Sequence, residues 1–391
     1  MPRSSAVASV SASAGPSTTI LVVDDSPVNL QVLVRTLDGT GYRILAATSG
    51  KSALDIVQRI RPDLILLDVM MPGMDGFEVC RAIKANDATR DIVIIFLSAL
   101  GEVEDKVAGL QLGAVDYITK PIQAEEVLAR ISNHLTVQRL QRQLRQSRDE
   151  LDQELASAAE MQRLLLPQTL PQNEALSFAA YYGTSRHAGG DYYDIVRLPD
   201  DQYGVLIVDV SGHGAPSAII MSMIRAVFHT FPGPAVNPPA VLQFINNHFR
   251  FLWGSSIMAT ALYAVVDLRN LRLSTSCSGH LPPLLLHGDS VSQLECDSTI
   301  PLLVTNVTTF PCVERSISPG DRVLFYTDGI TEREDDSGNM YQVDRLMDTF
   351  HALRAASPQE LIDALVADGA RFAGGREPAD DQTLLLMTVR E

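Results

Sequence analysis

The first apolar pattern in the chain is the stretch Ile20-Leu-Val-Val-Asp-Asp25, a short hydrophobic run that ends in two acids. Four further strand-like runs follow it with helical patterns between them, at 42–47, 64–67, 92–97 and 117–118. Runs of Val, Ile and Leu that alternate with helices are typical of parallel strands buried on both faces. The pattern therefore predicts a doubly wound α/β domain with a five-stranded parallel sheet over residues 19–122.

The length and the composition limit the kind of protein that this can be. A chain of 391 residues has room for a few globular domains, at roughly 100–200 residues each. Hydrophobic residues make up 46% of it and charged residues 20%, which excludes a long disordered chain. The net charge of −16 disfavours nucleic-acid binding, because phosphate backbones require clustered Lys and Arg.

Cysteine spacing and hydropathy bear on disulfides, zinc sites and targeting. The four cysteines show no CxxC spacing, which argues against a zinc site or a disulfide framework. No apolar run reaches the ~18 residues that a membrane-spanning helix needs. Residues 1–18 are rich in Ser and Ala and lack the apolar core of a signal peptide. We therefore expect a disordered tail on a cytoplasmic protein that contacts no membrane.

Residues 123–166 contain no Gly and no Pro, which predicts one long helix. Apolar or small residues recur at alternating steps of three and four, at Val137, Leu140, Leu144, Ser147 and Leu151. This is the a/d seam of a coiled coil, and Leu155 then breaks the register as a stutter. A helix without a core of its own requires a partner, so we expect a homodimer. The alternative is a helix that packs on its own domain.

The pattern changes again after Pro167, where strand-like runs become frequent. Strand pairs joined by short turns alternate with a few helical stretches up to the end of the chain. This arrangement predicts an α+β domain over 167–391, built as a β-sandwich flanked by helices.

Chemically active side chains lie where the predicted parallel strands end, namely Asp24, Asp25, Asp68, Ser98 and Lys120. The ends of parallel strands meet at one edge of a sheet, so these groups are expected to converge. They would form a phosphoryl-acceptor site, with Asp68 as the nucleophile and the acid pair holding Mg²⁺. Lys120 would pair with one phosphoryl oxygen, and Ser98 would hydrogen-bond to another. Pro121 would fix the backbone beside Lys120 through a special peptide geometry.

Three motifs resemble those of the response-regulator receiver domain: Leu21-Val-Val-Asp-Asp25, Asp68-Val-Met-Met-Pro-Gly-Met-Asp-Gly76 and Asp116-Tyr-Ile-Thr-Lys-Pro121. The resemblance covers about residues 18–137. It implies that a histidine kinase donates a phosphoryl group to Asp68, and it places Met70 beside the three acids at the Mg²⁺ site. It also implies that Ser98 and Tyr117 reorient on phosphorylation.

A second group of acids follows in the C-terminal part, where each acid flanks an apolar strand. The segments are Arg186-His-Ala-Gly-Gly-Asp-Tyr-Tyr-Asp194, Asp209-Val-Ser-Gly-His-Gly214, Thr327-Asp-Gly329 and Asp380-Asp-Gln-Thr383. Carboxylates that are buried together repel each other unless cations compensate. Carboxylate and carbonyl ligands suit Mg²⁺ or Mn²⁺, and two such ions can activate a water for attack on phosphorus.

These motifs, in this order, resemble those of the metal-dependent PPM serine/threonine phosphatases, in the bacterial branch that includes the sporulation stage II phosphatase. Ser278-Gly-His-Leu-Pro-Pro283 resembles a further segment of that family, and the resemblance spans about 160–390. It implies that two Mn²⁺ or Mg²⁺ ions are held by Asp191, Asp209, the carbonyl of Val210, Asp328 and Asp381. Arg186 matches the arginine that contacts the substrate phosphate in broader family members. The sequence departs from the family at Tyr341-Gln342, where Phe-Gly often stands, and this bears on substrate choice.

Together the patterns predict a response regulator in which phosphorylation of Asp68 controls a phosphoserine/phosphothreonine protein phosphatase. Residues 154–167 resemble the helix that precedes this type of phosphatase, so the coiled coil runs from the receiver into the effector. By resemblance, the substrate is a phosphorylated anti-sigma-factor antagonist. The alternative is a non-catalytic adaptor that binds a sigma factor or its regulator through a degenerate phosphatase-like domain. A DNA-binding regulator is disfavoured, because the chain is acidic and has no basic recognition helix.

Overall fold

The computed structural model describes residues 18–98, 109–185, 188–212, 214–306 and 309–390. The predicted tail at 1–18 therefore lies, apart from Thr18, outside the described residues. The chain divides into two compact units, with the boundary between Asp149 and Glu150. Within the described residues, we find no helix that combines the length and the apolar character needed to cross a bilayer.

The first unit contains a parallel sheet of five strands in the order β2-β1-β3-β4-β5. The strands are β1 (Thr19–Val23), β2 (Arg43–Ala47), β3 (Leu64–Asp68), β4 (Val93–Ser98) and β5 (Asp116–Thr119). The connecting helices among the described residues are α1 (Pro27–Leu37), α2 (Gly50–Arg59) and α3 (Gly76–Lys84). The five-stranded, doubly wound sheet predicted from the apolar runs is confirmed.

Local sequence explains where these elements begin and why the sheet is buried. Every residue of β1, β3 and β4 is buried, and two separate apolar clusters cover the two faces of the sheet. Helix α1 starts with Pro27, whose missing N–H is not needed in a first helical turn. Ser49 and Asp75 form capping boxes at the starts of α2 and α3 and satisfy backbone N–H groups there.

A single helix, α4 (Ala124–Arg163), follows β5 and extends over 40 residues. Val127 and Ile131 near its start are fully buried against the first unit. Further along, the predicted seam residues Val137, Leu140 and Leu144 are more than half exposed. The long helix is confirmed, whereas its pairing into a coiled coil stays a prediction.

The second unit contains two sheets. One has the order β13-β10-β9-β8-β7, with β14 also paired to β10, and the other has the order β12-β11-β15-β16-β6. The strands are β6 (Leu176–Gly183), β7 (Tyr192–Leu198), β8 (Gln202–Val210), β9 (Ala259–Asp267), β10 (Arg272–Ser278), β11 (Leu284–His287), β12 (Ser290–Gln293), β13 (Ser298–Thr299), β14 (Val313–Ser316), β15 (Arg322–Tyr326) and β16 (Gln382–Val389). The helices are α5 (Ala215–Phe228), α6 (Pro238–His248), a 3₁₀ turn (Arg250–Leu252), α7 (Asp328–Thr331), α8 (Val343–Ala352) and α9 (Pro358–Phe372).

The two sheets and their helices form layers because successive strand residues point to opposite faces. In β16, Leu385 and Met387 belong to the large cluster that contains the other sheet and the helices α5 and α6. Leu384 and Leu386 belong to a second cluster that contains the buried faces of α8 and α9. Both faces of this strand are therefore covered, and the predicted β-sandwich flanked by helices is confirmed.

One glycine of the second unit is required by a close approach of backbone to backbone. A Cβ built on Gly329, in α7, would lie 1.9 Å from the carbonyl oxygen of Asp381. This contact sets the spacing between α7 and the start of β16. A Cβ on Gly369, in α9, would meet no atom closer than the Arg333 side chain at 3.8 Å.

We expect Gly329→Ala to lower the free energy of unfolding of the second unit by about 1–3 kcal/mol or more, because the backbone must move apart. Gly369→Ala is the matched control, since the same methyl group enters free space inside a helix and should be neutral or stabilising by up to about 1 kcal/mol. Urea unfolding of both full-length variants measures the difference. Equal midpoints for the two variants would contradict the assigned packing.

Candidate active sites

The first candidate site lies at the ends of β1 and β3. Asp24 and Asp68 are buried and Asp25 is exposed, and one carboxylate oxygen of each lies within 4.8 Å of the others. Hard carboxylate oxygens at such spacing are the ligands that Mg²⁺ prefers. Among the described residues, these are the three acids that meet this spacing.

Lys120 compensates the negative charge of this site. Its Nζ lies 3.0 Å from Oδ2 of Asp24 and 2.8 Å from Oδ2 of Asp68. Burial raises the pKa of Asp68 above its ordinary value, and the Lys120 ammonium group opposes part of that rise. The amide of Asn29 donates to both oxygens of Asp24 at 3.0 Å. Sequence reasoning missed Asn29, whose only signal is its place in the first turn of α1.

Ser98 ends β4 as predicted, and its position is unusual. The side chain is buried, and its Oγ has no hydrogen-bond partner among the described residues. A buried hydroxyl without a hydrogen-bond partner lowers the stability of the fold, and such a group is free to bond to a ligand. A phosphoryl oxygen on Asp68 would be an acceptor for a hydrogen bond from this hydroxyl.

The remaining predicted receiver residues surround this edge of the sheet. Tyr117 lies on β5, with the guanidinium carbon of Arg130 5.8 Å from the centre of its ring. The bond between Lys120 and Pro121 is cis. Met70 is exposed, and its backbone hydrogen-bonds to the carboxylate of Asp68.

The second candidate site lies in the sandwich, where Asp191 connects the two sheets. Asp191 directly precedes β7 and is fully buried. Its Oδ2 accepts hydrogen bonds from the hydroxyls of Thr327 at 2.8 Å and Thr383 at 2.7 Å. Burial raises the pKa of Asp191 well above its ordinary value, and Asp209 raises it further. The predicted acids at 191 and 209 thus interact within one sheet, where β7 and β8 are neighbours.

Asp209 and Asp328 carry the next two negative charges of this site. Asp209 is the penultimate residue of β8, and Asp328 is the first residue of α7. Burial, followed by the charge of Asp328, raises the pKa of Asp209 to about 7. Burial, followed by the charge of Glu332, raises the pKa of Asp328 to about 6. Both side chains therefore hold their protons more strongly than an exposed carboxyl group.

Asp380 and Asp381 have different surroundings, which sequence reasoning did not resolve. The carboxylate of Asp381 accepts hydrogen bonds from the backbone N–H of Ser185 at 2.8 Å and of Gly190 at 2.7 Å. Asp380 is exposed, and its charge raises the pKa of both Asp209 and Asp328. Asp381 thus holds backbone, and its charge also raises the pKa of Asp191 and Asp209. Asp380, which was not predicted, joins it in raising the pKa of Asp209. The sequence signal for Asp380 was its position next to Asp381 in the same motif.

Two further residues were predicted, Val210 as a metal ligand through its carbonyl and Arg186 as a contact of the substrate phosphate. Val210 is buried, and its carbonyl oxygen lies so near Gly190 that a Cβ there would be 2.4 Å away. Arg186 lies outside the described residues. Among the residues that are described, no three acids of the sandwich reach the 4.8 Å mutual spacing of the receiver triad. The acids of the sandwich affect each other's pKa through their charges.

The end of helix α4 reaches this site through Gln162, another residue that sequence reasoning missed. The buried Gln162 amide donates to the carbonyl oxygen of Gly189 at 2.5 Å, and its Oε1 accepts the Gly189 N–H at 3.1 Å. Arg225 on α5 also donates to the carbonyl oxygen of Leu165 at 2.6 Å. The helix end is therefore fixed to the backbone that leads into Asp191.

Family comparisons agree with the two folds. The response regulator receiver domain family matches residues 20–132, and the stage II sporulation protein E (SpoIIE) family matches residues 199–390. The fold and the sites thus define a receiver unit followed by a PP2C-like sandwich. In family terms, the chain is a response regulator receiver domain joined to a SpoIIE-family domain.

Individual relatives match one part of the chain at a time. The DNA-binding dual master transcriptional regulator RpaA of Synechocystis sp. is 40% identical over 112 residues, which are 29% of this chain and 46% of that protein. Response regulator PleD of Caulobacter vibrioides is 46% identical over 112 residues, which are 29% of this chain and 25% of that protein. The chain thus spans less than half the length of these curated relatives. The SiaA-PP2C domain of Pseudomonas aeruginosa has a similar fold, with a TM-score of 0.56 and 22% identity over 63% of this chain and 99% of that one.

The raised pKa values of Asp209 and Asp328 make stability depend on pH. Between about pH 4 and pH 7, the folded metal-free protein keeps protons that the unfolded chain has lost, so its free energy of unfolding falls as the pH rises. We expect a loss on the order of 3 kcal/mol over this window, measured by urea unfolding in the presence of a chelator.

Asp209→Asn should remove much of this pH dependence, and Asp363→Asn, at an exposed position of α9, should leave it unchanged. Added Mn²⁺ should stabilise the wild-type protein more at high pH than at low pH, since cations compete with protons for the same oxygens. A flat stability profile in the chelator would contradict the burial of these charges.

Proposed function

We propose that this chain is a response regulator in which phosphorylation of Asp68 controls a metal-dependent phosphoserine/phosphothreonine protein phosphatase. The observation that carries the proposal is the convergence of four acids from separate segments at one end of the sandwich. They are Asp191, Asp209, Asp328 and Asp380: the charge of Asp209 raises the pKa of Asp191, and the charges of Asp328 and Asp380 raise the pKa of Asp209. A histidine kinase is the proposed phosphodonor, and 19–122, 123–166 and 167–391 are the proposed receiver, linker and phosphatase domains.

The effector residues fit divalent cations by their chemistry. Carboxylate oxygens that repel each other and hold protons near neutral pH are groups that a divalent cation stabilises. Asp209, Asp328 and Asp191 would hold the cations together with the carbonyl of Val210, and the hydrogen bonds of Asp381 favour Asp380 for the remaining place. When bound, two Mn²⁺ or Mg²⁺ ions supply Lewis-acid activation of the water that attacks phosphorus.

The protein residues prepare this site without taking part in bond changes. Thr327 and Thr383 hold the Asp191 carboxylate in one orientation, from the ends of two neighbouring strands. Asp381 fixes the backbone at Ser185 and Gly190, on either side of the segment that contains Arg186. By family resemblance, Arg186 would bind the substrate phosphate, and the substrate would be a phosphorylated anti-sigma-factor antagonist.

The receiver residues fit a phosphoryl-acceptor site in the same way. Asp24, Asp25 and Asp68, with the Met70 carbonyl, would hold Mg²⁺, which neutralises charge on the transferred group when bound. Lys120 already contacts the acceptor carboxylate and would follow a phosphoryl oxygen there. The unpartnered Ser98 hydroxyl would donate to another oxygen and so draw β4 towards Asp68, while Tyr117 would reorient beside it.

Helix α4 is the proposed route from the first site to the second. Its exposed apolar positions Val137, Leu140, Leu144 and Leu151 would pair with a second copy. A seam with a stutter has two registers of similar energy, as a two-state element requires. A change of register would move Gln162 and with it the backbone of Gly189, close to Asp191.

Hydrolysis is tested with the full-length protein and a phosphoserine peptide in Mn²⁺. We expect Asp209→Asn to lower phosphate release by more than about 100-fold, because loss of a group that merely orients a metal ligand already costs about 10–100-fold. Asp363→Asn is the matched control and should be as active as the wild type. If wild-type protein with Mn²⁺ releases no phosphate above the Asp209→Asn background, the domain is an adaptor and the proposed catalysis is wrong.

Control by the receiver is tested with beryllofluoride, which mimics a phosphoryl group on Asp68. We expect it to change the rate of phosphate release in the wild type and to have no effect in Asp68→Asn. The double variant Leu140→Glu/Leu144→Glu should be monomeric in analytical ultracentrifugation and should lose the response, since charged residues cannot occupy a paired seam.

The control for the seam is Gln141→Glu/Gln143→Glu, which adds the same charge at exposed positions beside it. This variant should keep both the dimer and the beryllofluoride response. A monomeric seam variant that still responds would rule out coupling through a paired helix, while leaving the phosphatase assignment intact.

A further inference from the structure

His280 is a buried histidine that belongs to neither proposed ligand set. It lies in the segment between β10 and β11, which leads from one sheet of the sandwich to the other. The side chain is 6% exposed, and its Nε2 has no hydrogen-bond partner in the part of the chain that the structure describes. Because buried polar atoms are nearly always satisfied, an imidazole at this position is costly to the fold and indicates a role beyond packing.

The other ring nitrogen of His280 contacts the residue beside Asp209. Its Nδ1 lies 2.7 Å from the hydroxyl oxygen of Thr260, the second residue of β9. In the antiparallel pair of β8 and β9, Thr260 lies directly opposite Asp209. Directly opposite side chains share one face of a sheet, with their Cβ atoms roughly 4.5–5.5 Å apart. Thr260 is therefore the side chain through which His280 can act on Asp209.

Backbone contacts hold the segment that contains His280 in one place. Gly279 forms a parallel bridge with Ala261 of β9, and its N–H donates to the Oγ of Ser298 at 2.8 Å. Gly279 has a φ of 70°, and a Cβ built on it would lie 2.7 Å from the Cγ of Pro301. The ring of His280 therefore approaches β9 from a fixed direction.

We propose that His280 is a positioning residue of the effector site, which holds the Thr260 hydroxyl and thereby fixes the place of the Asp209 carboxylate as a cation ligand. The inference rests on the proposed function and extends it to a residue outside the proposed ligand set. It stands on the bond between Nδ1 and Thr260, on the strand register and on the unpartnered Nε2.

The charge state of the ring suits this role. Burial lowers the pKa of His280 to about 4, so the ring is neutral at neutral pH and adds no positive charge beside the proposed cations. A neutral imidazole has one N–H and one bare nitrogen, and in both tautomers a single hydrogen lies between Nδ1 and the Thr260 oxygen. The bond therefore orients the Thr260 hydroxyl without placing a charge there.

The arrangement parallels the one at Asp191, whose carboxylate is oriented by the hydroxyls of Thr327 and Thr383. At Asp209 a single threonine lies across the strand pair, and a histidine holds that threonine in turn. Groups that orient metal ligands from outside typically contribute about 10–100-fold to metal affinity. Removal of the imidazole is therefore expected to weaken cation binding by this factor.

The experiment measures Mn²⁺ binding to the full-length protein by isothermal titration calorimetry. Every protein carries Asp25→Asn, which removes the exposed member of the receiver triad, so the heat of binding reports on the effector site. His280→Leu removes both nitrogens, and Thr260→Val removes the hydroxyl while keeping the shape of the side chain. We expect each change to raise the Kd for Mn²⁺ by about 10–100-fold.

Two further variants separate positioning from packing. The double variant His280→Leu/Thr260→Val should bind Mn²⁺ about as weakly as either single variant, because the two side chains act through one bond. His280→Asn, which returns a polar group near the place of Nδ1, should bind Mn²⁺ more tightly than His280→Leu. A residue that merely fills space would give neither result.

Two controls cover general effects of substitution. His248→Leu, at an exposed histidine of α6, should leave the Kd unchanged. Leu365→Ala, at a buried position of α9, should lower the melting temperature and leave the Kd unchanged. If Leu365→Ala weakens Mn²⁺ binding as much as His280→Leu does, the role of His280 is structural only and the proposal is wrong.

The outcomes distinguish this inference from the proposed function. Tight Mn²⁺ binding by the Asp25→Asn protein, with no change in His280→Leu or Thr260→Val, would overturn the positioning role and leave the phosphatase assignment intact. If the Asp25→Asn protein binds no Mn²⁺, the effector holds no cation site, and both the proposed function and this inference are wrong. Should His280→Leu fail to fold, Thr260→Val alone decides between these outcomes.

Discussion

Repulsion between carboxylates that are withdrawn from water is the constraint that both sites of this protein must satisfy. The receiver offsets it with a cation of its own, since Lys120 contacts both Asp24 and Asp68. The acids of the sandwich are not offset by such an ion pair. Among the described residues, no Lys or Arg forms an ion pair with Asp191, Asp209 or Asp328. Hydroxyl and backbone donors orient these acids but cannot neutralise them.

The two remaining ways to offset this charge are protonation and cation binding, and they exclude each other at a given oxygen. Burial and mutual repulsion bring the pKa of Asp209 to about 7 and that of Asp328 to about 6, so protons would compete with the proposed divalent cations near neutral pH. This competition couples metal affinity to pH. It also explains why the sandwich tolerates acids that it does not pair, because a site neutralised permanently by Lys would have less affinity for a cation.

The fold and the acids were largely predictable from the sequence, and several of their neighbours were not. The apolar runs before Asp24 and Asp68 predicted strands, and the topology of a parallel sheet then predicted that these acids meet. The contacts of Asn29, Gln162 and Asp380 depend on the direction in which each side chain points. The periodicity of the sequence does not give that direction. The motif could not separate Asp380 from Asp381, since two adjacent acids differ only in the backbone that surrounds each of them, and Asp381 stays a predicted ligand.

The short backbone segment before Asp191 is the place where the two halves of the proposed mechanism meet. Gln162 at the end of α4 holds Gly189 by its N–H and its carbonyl, and Asp381 holds the neighbouring Gly190 N–H. Asp191 follows directly and is oriented by two threonines. A helix that moves Gln162 therefore acts first on backbone and only through it on a carboxylate. Because Asp381, directly before β16, holds the next residue of this backbone, the segment is fixed at two adjacent positions. In the proposed mechanism, the helix would therefore act on the site without contacting a cation or a substrate.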